Sequence, residues 1–137
     1  MTGIEVIENG ISKVRKYLSI LESYRDKTTK DLASDITLKG TVERYLYLAV
    51  QATIDLGEAI ISYKGFRKPS TFAESFKILQ ENKLISKTLE EKMARMTGFR
   101  NWIAHDYGDI DHNILHDILL NRLKDIEDFL DDAKKNL

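Results

Sequence analysis

Apolar residues recur at spacings of three and four along most of the chain, which is the period of an α-helix and not the alternation of a strand. The first stripe continues through Gly10, so we predict one helix there, although glycine costs a helix about 1 kcal/mol relative to alanine. Its members are Ile4, Ile7, Ile11, Val14, Leu18 and Leu21. The polar stretch YRDKTTKDLASDITLKG then interrupts the pattern and is predicted to be a connection with room for a short helical turn.

A second stripe predicts another long helix, which ends near Gly65 because glycine readily adopts the left-handed conformation that helix ends often need. Its members are Val42, Leu46, Ala49, Thr53, Leu56, Ile60 and Tyr63. After the loop that contains Pro69, the only proline, Thr71 and Glu74 have the spacing of a capping box. They predict the start of a shorter third helix.

Two further helices complete the pattern. The fourth is predicted from about Ser86 to about Tyr107, followed by a turn at Gly108, where Asp109 or Asp111 can cap the fifth helix. Inward positions are Leu89, Met93, Met96, Phe99 and Ile103 in the fourth helix, and Leu115, Leu119, Leu123, Ile126, Leu130, Ala133 and Leu137 in the fifth. Because short loops favour antiparallel neighbours, we predict a single all-α domain over 1–137, an antiparallel up-and-down bundle of four main helices plus a short helix.

Composition narrows the functional classes. The chain has 137 residues and no cysteine, which excludes disulfides and thiolate metal sites. Its 21 basic and 22 acidic side chains nearly cancel, so any contact with nucleic acid has to be local. The acidic N-terminus does not resemble a signal peptide, and no apolar run is long enough to span a bilayer. We therefore expect a cytoplasmic protein without membrane contacts.

The fourth helix has a second face that is poor in charge. Ala94, Thr97, Gly98, Asn101 and His105 lie there, whereas a solvated face normally carries lysines and glutamates. Small residues allow another backbone to approach closely, so this face predicts packing against a second copy in a homodimer. The alternative is that the fifth helix or the polar connection covers it.

Arg100 lies near the centre of the apolar arc of the same helix, where a permanent charge needs a partner. An ion pair with Glu58, a side chain that reaches the surface, or an anionic ligand would each satisfy it. On an ideal helix Arg100 is about 140° from His105. A shared site therefore requires that the arginine swings across, that the helix distorts, or that two subunits contribute.

Arg100, Asn101 and His105 together carry chemistry suited to cleaving a phosphodiester without a metal. Imidazole can accept and return a proton near neutral pH, and guanidinium offers a planar set of donors to a phosphate. Spacing alone is unspecific, because arginine and histidine five apart occur by chance in many helices. His112 and His116 have a metal-binding spacing, but histidines at a helix end are more often surface residues, so no metal or cofactor is expected.

Trp102 adjoins this cluster but lies away from the His105 face. We expect it to pack in the core or in an interface, with stacking on a nucleic-acid base as the alternative.

The segment RNWIAHDY at 100–107 resembles the Arg-x4-His-x-Tyr signature of HepT-like toxins of the HEPN superfamily. The segments VQATIDLGEAI, PSTFAESFKIL and MTGFRNWIAHDYGDID are also similar to the family pattern, in the same order, and the resemblance covers roughly 40–130. It implies a homodimeric, metal-independent endoribonuclease in which two copies of the motif face each other across a cleft that binds RNA.

The resemblance also implies residue roles. Arg100 would contact the scissile phosphate, Asn101 would assist, and His105 would be the general base or acid. A nucleotidyltransferase antitoxin would transfer AMP to the motif tyrosine, which is Tyr107 here. Two alternatives remain: a non-catalytic HEPN module that binds a nucleotide or docks a nucleotidyltransferase, and a structural adaptor bundle.

Overall fold

The computed structural model describes residues 2–105 and 110–137, and these form a helical bundle. The helices are α1 (Gly3–Glu22), α2 (Thr29–Ser34), α3 (Ile36–Lys64), α4 (Phe72–Glu81), α5 (Lys87–His105), α6 (His112–Asp117) and α7 (Leu123–Lys135), and a π-helical turn (Ile118–Arg122) joins the last two. The all-α, up-and-down prediction is confirmed, with α1, α3, α5 and α6–α7 as main helices. Within the described ranges no helix is long and apolar enough to cross a bilayer.

The helices α1 and α3 pack antiparallel at close range. Gly3 lies against Tyr63, and Gly10 lies against Leu56. A Cβ atom at Gly10 would meet Cδ1 of Leu56 at 3.2 Å, so the glycine inside α1 allows the two backbones to approach. The predicted stripe of α1 is buried except at Ile4, which is 41% exposed, and Tyr63 of the predicted α3 stripe is also exposed.

The polar stretch before α3 is more ordered than the apolar pattern predicted, since it contains α2 and the first turn of α3. Thr28 and Asp31 form a reciprocal capping box on α2, and Asp35 accepts a hydrogen bond from the Leu38 N–H at the start of α3. These starts depend on caps and not on apolar periodicity, since Ile36 is 85% exposed. The long helix therefore begins earlier than its stripe.

The predicted capping box of α4 is half correct. The Thr71 hydroxyl accepts a hydrogen bond from the Glu74 N–H at 3.1 Å, as expected. The Glu74 carboxylate, however, accepts from the N–H of Ser70 at 2.8 Å instead of that of Thr71. It also pairs with Arg67 at 3.3 Å, and Arg67 reaches Glu81 at 2.9 Å. The loop before α4 is thus tied to the helix that it precedes.

The last predicted helix is interrupted. Asp111 caps α6 by accepting from the N–H groups of Asn113 and Ile114. The π-helical turn follows, and Arg25 donates to its Leu120 carbonyl at 3.0 Å, which satisfies a backbone acceptor there. Because α7 ends at Lys135, the prediction that Leu137 is a core residue is wrong: it is 50% exposed.

Helix α3 is the centre of the bundle and packs against α1, α4, α5 and α7. Phe76 of α4 and Phe129 of α7 meet edge to face, with ring centroids 5.4 Å apart, beneath Gly57. This packing brings the middle of α3, the start of α4 and the second half of α5 together.

Candidate functional site

A cleft of about 640 Å³ lies where α3, the loop before α4 and α5 converge. It is lined by Glu58, Pro69, Ser70, Thr71, Phe72, Arg100, Asn101 and His105. The structure thus brings Arg100, Asn101 and His105 to one cleft within a single subunit. The sequence left three ways in which Arg100 and His105 could share a site despite their angular separation on the helix. The structure fits the first, in which the arginine side chain swings across, since its guanidinium donates to Oδ1 of Asn101 at 3.1 Å.

The guanidinium of Arg100 is held by neutral groups on every side that the structure describes. Its carbon lies 5.2 Å from the ring centroid of Tyr47 and 4.8 Å from that of Phe72, within the range of cation–π attraction. Nε donates to Oε1 of Gln51 at 2.7 Å, and Nη2 lies 3.5 Å from the Tyr47 hydroxyl. The side chain is therefore oriented without an opposite charge.

The ion pair with Glu58, one of the three options for Arg100, does not form among the described residues. Both residues line the cleft, but within residues 2–105 and 110–137 no carboxylate pairs with Arg100, and Gln51 takes its Nε donor. Described residues engage three of the five guanidinium N–H donors, so two donors and the charge can serve an anion in the cleft.

A second hydrogen bond sets the orientation of Gln51. Its Nε2 donates to Oδ1 of Asp55 at 2.9 Å, so the amide oxygen faces Arg100. Our sequence reasoning missed Tyr47 and Gln51. A signal existed, because Tyr47, Gln51, Asp55 and Glu58 recur at four, four and three, which places polar groups on one side of an otherwise apolar helix.

Glu58 is the acidic group of the cleft. Burial raises the pKa of its carboxyl above the ordinary value of 4.5, and the nearby charge of Asp55 raises it further. Both effects favour the neutral form of the group. A neutral Glu58 repels an incoming phosphate less than a carboxylate would.

The charge-poor face predicted on α5 does not form a single surface. Thr97 is buried inside the subunit, where its hydroxyl donates to the Met93 carbonyl at 3.1 Å, whereas Gly98 is exposed. The predicted core positions Phe99 and Ile103 are only partly buried. Part of the face is thus buried within the subunit.

Beside Gly98 lies an exposed apolar area that we call the Trp102 surface. It comprises the exposed Gly98, Trp102 and Ile114, the partly buried Phe99, and Ile110, which is buried at its base. Trp102 is 44% exposed and Ile114 is 47% exposed, so the core position expected as one option for Trp102 is wrong. Arg95 and Arg122 border this surface.

Two further predictions concern the AMP acceptor and the histidine pair of α6. Tyr107, the expected AMP acceptor, lies outside the described residues, as does Asp109. His112 and His116 are partly buried on α6, and no group of three or more histidine, aspartate or glutamate side chains in the described ranges could hold a metal ion.

A sequence profile described as "Ribonuclease HepT-like" matches residues 14–133. The chain belongs to the HepT-like ribonuclease family. It is similar to a protein named "mRNA nuclease HepT" from Shewanella oneidensis, with 28% identity over 131 residues, covering 95% of this chain and 97% of the relative. A protein named "tRNA nuclease HepT" from Aphanizomenon flos-aquae is 32% identical over 115 residues, covering 82% of this chain and 78% of the relative.

A solved structure has nearly the same fold as this HepT-like chain. It is described as a tri-AMPylated Shewanella oneidensis HEPN toxin in complex with MNT antitoxin, and it superposes with a TM-score of 0.88 at 26% sequence identity. The match covers 98% of this chain and 99% of the toxin chain. The helical bundle as a whole is therefore that of a HEPN toxin.

Proposed function

We propose that this HepT-like ribonuclease is the toxin of a toxin–antitoxin pair and cleaves RNA at the cleft of Arg100, Asn101 and His105. The observation that carries the proposal is the arrangement of Arg100, whose charge is oriented by neutral partners and faces a cleft that His105 also lines. Such an arrangement fits a phosphate better than a structural role, since a structural arginine at this depth normally pairs with a carboxylate.

The chemistry follows from these groups and needs no metal. His105 accepts the proton of a ribose 2′-OH, and the oxygen attacks the adjacent phosphorus. The bond from phosphorus to the 5′-oxygen breaks, a general acid protonates that oxygen, and the products carry a 2′,3′-cyclic phosphate and a 5′-OH. Arg100 stabilises the charge on the phosphorus oxygens, and the Nδ2 amide of Asn101 can hold another of them.

The general acid would come from a second copy of the chain. The Trp102 surface is apolar and lies on the same end of α5 as His105, though on a different face, so a second copy packed there would place its own α5 beside this one. The His105 of that copy could then protonate the leaving oxygen. We therefore propose a homodimer with the active cleft at its seam.

Regulation by AMP transfer belongs to the same proposal. A related toxin is described as AMPylated and bound to an MNT antitoxin. In this chain a nucleotidyltransferase antitoxin would transfer AMP to Tyr107, two residues after His105. The added phosphate would repel an RNA phosphate and its adenosine would fill space beside the histidine. A cytoplasmic location is part of the same proposal, since the RNA substrate and the antitoxin would be met there.

The decisive experiment is cleavage of a defined single-stranded RNA in EDTA by the purified protein, by His105→Ala and by the control His116→Ala. Wild type and control should cleave alike, with cyclic phosphate ends identified by mass spectrometry. His105→Ala should be slower by roughly 10²- to 10⁴-fold, because it lacks the proton-transfer group. Mass spectrometry of the purified protein is used to check that Tyr107 carries no AMP, which would inhibit cleavage.

Intact RNA with unmodified wild type would overturn the nuclease proposal. It would favour the alternative, a non-catalytic HEPN module that docks a nucleotidyltransferase. If His105→Ala and wild type were equally active, the protein would still be a nuclease, but His105 would have no part in its mechanism.

A further inference from the structure

A second arginine approaches the ring that supports Arg100. Arg44 lies one turn before Tyr47 on α3, and its guanidinium carbon is 5.4 Å from the Tyr47 ring centroid. The corresponding distance for Arg100 is 5.2 Å. Because both distances are measured to the same ring, the two guanidinium carbons cannot be farther apart than the sum of the two distances. One tyrosine therefore holds both cations within reach of neighbouring phosphates of a single strand.

Arg44 is exposed, and the ion pairs among the described residues do not include it. In the described ranges no carboxylate forms an ion pair with it, whereas Arg25, Arg67 and Arg122 pair with Glu22, with Glu74 and Glu81, and with Asp117, respectively. An arginine that stacks on a ring and lacks a counter-charge keeps its hydrogen-bond donors for an external anion.

Beyond Arg44 the surface continues as a groove of about 500 Å³ along the first half of α3. We call it the α3 groove, and its lining combines aliphatic, hydroxyl, aromatic and cationic side chains: Ile36, Thr37, Gly40, Thr41, Arg44, Tyr45 and Leu48. Apart from its chain neighbours and the backbone of its own helix, nothing lies within 4 Å of where a Cβ at Gly40 would stand, so the groove is open there. Tyr45 offers a partly buried ring, of the kind on which nucleic-acid bases stack.

We propose that Arg44 and the α3 groove bind the single-stranded RNA next to the scissile phosphate, with Arg44 on a neighbouring phosphate. This inference rests on the proposed function for its substrate class. Because the net charge is close to zero, the protein has no general attraction for RNA. Arg44 would supply a local cationic contact that holds the RNA while Arg100 acts on the reacting phosphate. A groove with hydroxyls, a ring, two aliphatic side chains and one cation suits the unpaired bases of a flexible strand better than a duplex.

The test separates binding from cleavage. The probe is a short fluorescein-labelled single-stranded RNA that is 2′-O-methylated at every ribose, so that no 2′-OH can attack. Its anisotropy is titrated with wild type, Arg44→Ala and Arg44→Lys in EDTA over a series of salt concentrations. Arg15→Ala is the matched control, because Arg15 is also an exposed arginine but lies on α1, in a separate pocket beside α7.

Arg44→Ala should weaken binding on the order of five- to tenfold and reduce the slope of log affinity against log salt by about 0.7, the value for one phosphate contact on a single strand. Arg44→Lys should keep the slope, since it keeps the charge. With unmodified RNA, Arg44→Ala should raise KM and leave kcat within about twofold.

Equal affinities and slopes for wild type, Arg44→Ala and Arg15→Ala would overturn the proposal. So would equal losses in both alanine variants, which would indicate only a general field effect, and so would an Arg44→Ala that impairs antitoxin binding alone. If Arg44-dependent binding persists while wild type cleaves no RNA, the inference survives and the nuclease proposal fails.

Discussion

Glu58, the acidic residue in the cleft, should make the stability of the folded protein depend on pH. The raised pKa of Glu58 means that the folded protein binds this proton more tightly than the unfolded chain does. The free energy of unfolding should therefore fall as pH rises through the window that begins at the ordinary glutamate value of 4.5.

We expect Glu58→Gln to remove this dependence, because glutamine resembles the protonated acid. Its midpoint of thermal unfolding should exceed that of wild type at pH 7, and the difference should vanish near pH 4. Glu127→Gln, on an exposed position of α7, is the control and should show no such convergence. A Glu58→Gln variant less stable than wild type at pH 7 would contradict the effect of burial.

At the scale of elements, two helices end in the same motif with different residues. Gly65 has φ +71° after α3, with the Phe66 N–H bonded to the Ile61 carbonyl. Lys83 has φ +62° after α4, with the Leu84 N–H bonded to the Leu79 carbonyl. Both are Schellman ends, but only glycine adopts this left-handed conformation without steric cost.

Lys83→Gly should therefore stabilise the protein by about 1 kcal/mol, and Gly65→Ala should destabilise it by a similar amount. Urea denaturation measures both, and an unchanged m-value would show that only stability has changed. A loss of stability in Lys83→Gly would mean that the lysine side chain contributes more than its backbone strain costs.

At the scale of the whole molecule, the Trp102 surface should hold two copies together. A glutamate there would bury a charge in the proposed interface, so Trp102→Glu should raise the dimer dissociation constant at least about tenfold. Sedimentation velocity over a range of concentrations measures this. Leu137→Glu, on a similarly exposed residue at the end of the chain, should sediment like wild type.

A wild-type protein that sediments as a monomer at every concentration would refute the homodimer. If Trp102→Glu is monomeric and also cleaves RNA poorly, while its helical circular dichroism is unchanged, the cleft needs the second copy. Full activity in the monomer would place the general acid within one subunit.

The sequence predicted the bundle well because helical periodicity and caps are local signals. The stripes of α1 and α3, the end at Gly65 and the cap at Asp111 all depend on residues within a few positions of one another. Departures occurred where another signal dominates: Asp35 begins α3 before its stripe does, and the π-helical turn interrupts a stripe that is itself continuous.

The candidate site was predictable only in part. Arg100, Asn101 and His105 were found as a motif, and the structure brings them to one cleft. The partners of Arg100 lie 49 and 53 positions away, at Gln51 and Tyr47, and no local pattern connects residues at that distance. Glu58 was one candidate partner because of its charge, but the neutral amide of Gln51, two turns earlier on α3, is the group that Arg100 Nε contacts.

The way Arg100 is held has a thermodynamic consequence for how the protein meets its ligand. A free arginine side chain samples many rotamers, and fixing one costs about 2 kcal/mol of entropy. Two rings and three hydrogen bonds have already selected the rotamer in the folded protein. Folding thus bears this entropic loss, and an arriving phosphate meets a side chain that is already ordered.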